Sequence, residues 1–193
     1  MKPTTENKKL SLFWCILLPI LLLLLSYNAV LFFIPVTVAQ ENVFHFLAGK
    51  EELSSGFTSL EITHLQDVKQ VMKYADYLFY FTLLIITGLV IYYRKNKEFL
   101  FKLFESGGKV TVLAMIIIGG LAVLFFDSVF TLFHRIFFPQ GNWQFAIDSK
   151  IIQTFPLDFF VMVSRNIFLL SLFFGMIFIL LGYYFKYVHD KRS

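Results

Sequence analysis

Residues 10–38 read LSLFWCILLPILLLLLSYNAVLFFIPVTV, a run without one Asp, Glu, Lys or Arg. Crossing about 30 Å of hydrocarbon takes about 20 largely apolar residues in a helix, and this run exceeds that need. Three further stretches qualify, at about 74–93, 109–126 and 163–185. None shows the period-two alternation that a barrel wall requires. The pattern therefore predicts an all-α polytopic membrane protein, a single membrane domain over residues 1–193, with four transmembrane helices. Loops at about 39–73 and 127–162 join the spans on one side. Lys8, Lys9 and Thr37-Val38-Ala39 imitate a cleaved leader, but the apolar stretch far exceeds the usual 7–15 residues. It reads as a retained helix, bent or ended by Pro19 and Pro35.

Composition points the same way. The chain is 58% hydrophobic, 16% charged and carries 26 phenylalanines, whereas soluble domains are about 45–50% apolar and about 25% charged. A net charge of +4 is too small to argue for nucleic acid and has to be read by position. Residues 1–9, 94–109 and 186–193 hold 11 of the 17 basic residues and only 4 acids, while the other two loops and adjoining helix ends hold 6 basic and 9 acidic residues. The positive-inside rule then puts both termini in the cytoplasm and loops 39–73 and 127–162 outside. Tyr92, Tyr93, Tyr183, Tyr184 and Tyr187 suit an aromatic belt at the cytoplasmic face. With one cysteine no intrachain disulfide can form, and Cys15 reads as a buried apolar side chain. Phe99, Leu100, Leu103 and Phe104 alternate with charges as a short amphipathic helix lying in the interface, with Gly107-Gly108 as its stop.

Chemistry concentrates in the two external loops. Thr63 and Gln66 form a capping-box pattern that starts a helix at His64, and His64 and Asp67, three apart, share its face. Residues 126–139 read FDSVFTLFHRIFFP, too apolar for an external loop. They predict a segment lying in, or dipping into, the membrane. Asp127, Thr131 and His134 make a polar line along it, and an ionisable stripe in apolar surroundings is a functional candidate by default. Trp143 follows in a turn and suits an interfacial anchor. Arg165, near the outer end of the fourth span, suits an anionic head group or the interface itself. His64 and His134 come from different loops yet face the same side, and two imidazoles suit general acid–base work near neutral pH. His45, between two phenylalanines, reads as structural. Asp67 or Asp127 can orient an imidazole; Trp143 and Arg165 are further orienting or substrate-binding candidates. No metalloprotease, nucleophile-elbow or paired-cysteine motif is present, so an enzyme here would work without the usual protein nucleophile; no metal or cofactor is assigned.

Two segments, Glu61-x-x-His64-x-x-Asp67-Val68 and Asp127-x-x-Phe130-x-x-Phe133-His134-x-x-Phe137-Phe138-x-x-Gly141-x-Trp143-x-Phe145, resemble the signature of the lipoprotein intramolecular transacylases. These are bacterial four-helix integral membrane proteins. The likeness continues through Ile151-Ile152, Phe155-Pro156 and Phe159-Phe160, and no role passes to Asn142 or Arg135. It implies transfer of the sn-2 acyl chain of a diacylglyceryl-modified N-terminal cysteine to that cysteine's own α-amine, giving a lyso-form lipoprotein. It also implies a catalytic histidine pair at His64 and His134, and a place in the bacterial cell membrane with the site at the extracellular face. The implied partners are diacylglyceryl lipoproteins and membrane lipid, with no nucleic acid and no obligatory protein partner. Because the nucleophile would belong to the substrate, the missing serine or cysteine constellation is accounted for. Two other classes stay open at this point: a bis-histidine haem b redox protein and a metal-dependent membrane hydrolase using both histidines and a carboxylate.

Overall fold

The computed structural model describes residues 5–191, so the expected domain of 1–193 extends beyond it at both ends. Within those residues the chain is helical throughout: α1 (Thr5–Phe33), α2 (Val38–Leu47), α3 (Ser59–Tyr93), α4 (Lys97–Leu124), α5 (Phe126–Phe137), α6 (Lys150–Thr154) and α7 (Leu157–Asp190). Four of them, α1, α3, α4 and α7, are long and apolar enough to cross a membrane. They form the bundle, with α4 against α7 as its closest pair and α1 touching the other three. Four crossings return the last helix to the end where the first begins. There Tyr93 stacks on Phe99 at 5.1 Å and the Lys109 ammonium lies over Tyr183.

Each end has its own core. Trp14, Leu18, Leu22 and Leu103 are fully buried near the termini, with Phe104 and Phe178 packed around them. At the far end Val43, Leu47, Leu65, Ile151, Phe155 and Phe159 form a second cluster. The segments between spans therefore fold as a helical cap with an interior of its own. Outside lipid, water drives that burial, at roughly 1.5–3 kcal/mol for each fully buried aliphatic or aromatic side chain. Inside lipid that drive is missing, and close backbone approach takes its place.

Several boundaries differ from the sequence reading, each for a packing reason. The first span ends at Phe33, not residue 38, because Pro35 has no amide to continue it. The chain then turns into α2 through a Thr37–Gln40 capping box, Thr37 N donating to Gln40 Oε1 at 2.9 Å. The second span is the continuation of a helix that starts at Ser59, and its capping box is Thr58–Glu61. Thr63 instead lies inside that helix and donates to Ser59 O at 2.9 Å. The fourth span likewise begins earlier, at Leu157, directly after Pro156. Cys15 is only partly buried.

The amphipathic stretch after Asn96 is not a separate interfacial helix, and Gly107-Gly108 does not stop it. Both glycines sit inside α4, where they permit contact. A Cβ on Gly107 would meet Trp14 and Leu18 at 2.6–2.9 Å, and one on Gly108 would lie 2.7 Å from Gly175 O and 2.8 Å from Ile179 N. The atoms facing Gly108 include α7 backbone, which cannot rotate away. Gly108→Ala is therefore expected to force α4 from α7 and to destabilise the protein by about 1–3 kcal/mol, as overpacking does. Thermal unfolding in detergent checks this, and an unchanged midpoint would refute the close-packing role.

Candidate active site

Helix α3 has 35 residues, a length of about 52 Å at about 1.5 Å per residue. Its apolar part, residues 74–93, matches the hydrocarbon, so residues 59–73 project beyond it and carry the polar side chains. Thr58 caps the start of the helix. Glu61 has only 1% of its surface exposed, and its carboxylate is fully engaged. Oε2 accepts from Thr58 N at 2.7 Å and from Thr58 Oγ1 at 2.8 Å, while Oε1 accepts from Ile151 N at 2.8 Å. Burial alone would raise its pKa, but these donors and the Lys150 charge outweigh burial and hold it below the usual carboxylate value. Glu61 thus pins α3 to α6. One turn on, His64 is buried beside Leu65.

Helix α5 brings the second imidazole. A break at Phe125 separates it from α4. Its exposed Leu132, Phe133, Ile136 and Phe137 form an apolar face that the rest of the chain does not cover. His134 is half-buried, and its Nδ1 lies 2.8 Å from Phe130 O. A carbonyl oxygen only accepts, so Nδ1 carries the proton and Nε2 keeps a lone pair. After Phe138 the chain reverses at Gly141, whose φ of +78° favours glycine. The turn returns along α3, where Gln140 Nε2 and Asn142 Nδ2 each donate to Asp67 Oδ2 at 2.6 Å.

Asp67 therefore fastens this turn to α3, and the fastening assembles the site. The His64 ring packs on Phe138 and Phe145 at centroid distances of 4.7 and 5.4 Å. The His134 ring packs on the same Phe138 at 5.8 Å and on Trp143 at 4.7 Å. Two histidines 70 positions apart in sequence thus share one aromatic wall at the far end of the bundle. Burial lowers the pKa of His64, and His134 lowers it further; Asn142 and Asp67 oppose this without cancelling it. Burial also lowers that of His134, against the hydrogen bond to Phe130 O. Both rings are accordingly neutral bases at neutral pH.

Of the residues singled out from sequence, the structure brings His64, Asp67, His134 and Trp143 together. Asp127 and Arg165 are exposed and outside this cluster. Among the described residues no carboxylate hydrogen-bonds either imidazole; Asp67 acts on His64 through its charge and holds Asn142 through a hydrogen bond. His45 pairs with Glu51 at 3.1 Å. Sequence reasoning missed Asn142, Gln140, Phe138 and the staple role of Glu61. Thr58 three residues before Glu61 was a legible signal for the staple; nothing local marks a glutamine and an asparagine as partners of an aspartate more than 70 positions away.

Among the described residues no group of three or more His, Cys, Asp or Glu side chains could hold a metal ion. Fold and site together define a multi-pass helical membrane protein that presents two neutral imidazoles on an aromatic wall at one end of its bundle. The family model of the lipoprotein intramolecular transacylase Lit matches residues 38–160, the stretch that holds α2, both histidines and the cap. The chain belongs to this lipoprotein intramolecular transacylase family, whose members are acyltransferases. An uncharacterized protein of Aquifex aeolicus is 25% identical over 136 residues, which cover 69% of this chain and 61% of that protein's length. The membrane-integral transacylase Lit from Bacillus cereus superposes with a TM-score of 0.76 at 20% identity, covering 97% of this chain and 98% of that one. A variant of it with one histidine changed to arginine superposes with a TM-score of 0.75 at 18% identity, covering 97% and 95%. Those two likenesses are of fold.

Proposed function

We propose that the protein transfers the sn-2 acyl chain of a diacylglyceryl-modified N-terminal cysteine to the cysteine's own α-amine, using His64 and His134 as acid–base groups. The observation that carries this reading is the shared Phe138 wall, which places two neutral imidazoles from different elements on one apolar surface. The balance is simple. The amine nitrogen attacks the sn-2 ester carbonyl, a C–N bond forms, the ester C–O bond breaks, and one amine proton ends on the glyceryl oxygen. No co-reactant is consumed, so the product is an isomer of the substrate.

An α-amine has a pKa of about 7.7–8.0, so a base is needed once nitrogen has attacked. Amine and ester belong to one modified residue, and holding them in contact supplies much of the acceleration. The imidazoles move the proton, and the uncovered apolar face of α5 admits acyl chains from the bilayer. Trp143 and Phe138 wall the reacting carbonyl from water. Asp127 and Arg165 take no step in this reading. In this reading both termini are cytoplasmic and the cap is extracellular, where lipoprotein N-termini reside; the clustering of basic residues at the termini end supports it. Diacylglyceryl lipoproteins and lipid are its partners.

The direct test is expression in cells that lack lipoprotein N-acylation, followed by mass spectrometry of lipoprotein N-termini. Conversion of diacylglyceryl termini to N-acyl, S-monoacylglyceryl termini of unchanged mass is expected. Termini that keep a free amine would refute the proposal.

A further inference from the structure

Two buried polar atoms next to each other lack partners: His64 Nδ1 and Asn142 Oδ1. A buried polar atom left unpaired in a native site calls for an explanation. The orientation of Asn142 is settled by its other branch. Nδ2 donates to Asp67 Oδ2, and a carboxylate oxygen cannot donate, so the amide cannot be flipped and Oδ1 points the other way. What faces His64 is therefore an acceptor. Asn142 is bonded to Asp67, which stands one turn after His64 on α3, and it favours the charged form of His64.

We propose that Asn142, held by Asp67, is a positioning residue that keeps the proton of His64 on Nδ1 and leaves Nε2 as the nitrogen facing substrate. The inference rests on the acyl-transfer reading above and deepens it. Phe130 O does the same for His134, so both imidazoles offer Nε2 lone pairs at rest. A consequence follows for the reaction: neither ring brings an acidic Nε2–H proton. The proton that one Nε2 removes from the attacking amine is the proton delivered to the glyceryl oxygen as the C–O bond breaks. Gln140, the second donor to Asp67, keeps the carboxylate from turning toward the imidazole. The titratable groups facing His64 are then His134 from α5 and Asp67 from its own helix.

The test combines a spectroscopic and a kinetic readout on the full chain in detergent micelles. With ¹⁵N-histidine labelling at pH 8, the His64 signals, assigned by their loss in His64→Ala, are expected to show the Nδ1–H tautomer. Asp67→Asn frees the Asn142 amide to flip and is expected to convert His64 to Nε2–H. It should lower kcat by roughly 10²-fold with KM within about twofold, in line with the cost of a misplaced tautomer. Combining Asp67→Asn with Asn142→Asp restores an acceptor opposite Nδ1. That pair is expected to recover at least about tenfold in kcat and to move the acid limb to higher pH, because a carboxylate favours imidazolium. An Nε2–H tautomer in the unsubstituted protein would overturn the proposal whatever the variants do. So would Asp67→Asn and Asn142→Ala both retaining kcat within about twofold, or a double variant no better than Asp67→Asn. These results leave acyl transfer by the unsubstituted protein standing; full activity in His64→Ala would instead overturn the underlying reading.

Discussion

Replacing either His64 or His134 by alanine is expected to lower acyl transfer by about 10³-fold, within the range that positioned acid–base groups supply, and to leave the protein folded. Neither ring is a keystone of packing: His134 is half-exposed, and the walls around His64 are supplied by Phe138 and Phe145. The double variant is expected to lose little more than either single one, because groups acting on one proton are not additive. The pH profile carries the sign. Both imidazoles have pKa values below the usual histidine value, so the active neutral form persists as pH falls through about 6.5. In that range kcat/KM follows the free amine alone, with a slope of about one in log rate against pH. Below the lowered histidine values protonation of each imidazole competes as well, and the slope steepens beyond one toward about three. Steepening that begins above pH 6.5, or a single alanine variant with near-normal turnover, would exclude the paired-imidazole mechanism.

Glu61→Ala is the second large effect, and it acts on stability. The carboxylate receives the Thr58 and Ile151 amides and the Thr58 hydroxyl at full burial. Its removal leaves the buried Ile151 N–H and the part-buried Thr58 N–H without their acceptor and opens a void between α3 and α6. Each orphaned donor costs about 1–3 kcal/mol, so a loss of about 3 kcal/mol and a fall in Tm of roughly 5–10 °C are expected. Glu61→Gln recovers only part, since its amide nitrogen would face a donor where an oxygen is needed. Because the folded-state pKa of Glu61 is depressed, its stabilisation is present above the unfolded value of about 4.3 and is lost as pH falls through the lower folded value. The acid limb of the stability curve should flatten in Glu61→Gln. A Tm within about 1 °C of the unsubstituted protein in Glu61→Ala would remove the staple from this account.

Much of the molecule was legible in one dimension. Largely apolar runs of about 20 residues suit a membrane crossing, and the runs beginning at Leu10, Tyr74, Lys109 and Val163 lie mostly within α1, α3, α4 and α7. Helix boundaries were less legible. Gly107-Gly108 looks like a stop to local propensity, yet Trp14, Leu18 and the α7 backbone reward the absence of a side chain there. The Thr63–Gln66 box lost to Thr58–Glu61 because Glu61 also finds Ile151, a partner 90 residues away. Within the external segments 39–73 and 127–162, a helix start near His64 and an apolar membrane-facing stretch at 126–139 were legible, but their joint core was not. That core is assembled from short pieces of α2, α3, α6 and α7.

By itself the sequence determined the class of molecule, the number of spans and the two histidines, because hydropathy and motif spacing are properties of adjacent residues. The tertiary structure alone decided that those histidines share a wall and that Asp67 grips the turn after α5 rather than a ring. It also decided that Asn142, silent in the sequence, is held by Asp67 with its own amide oxygen buried and unpaired. The physical reason is one of range. Crossing a bilayer is settled residue by residue against lipid, whereas a proton's place on an imidazole is settled by whichever acceptor the fold delivers to it.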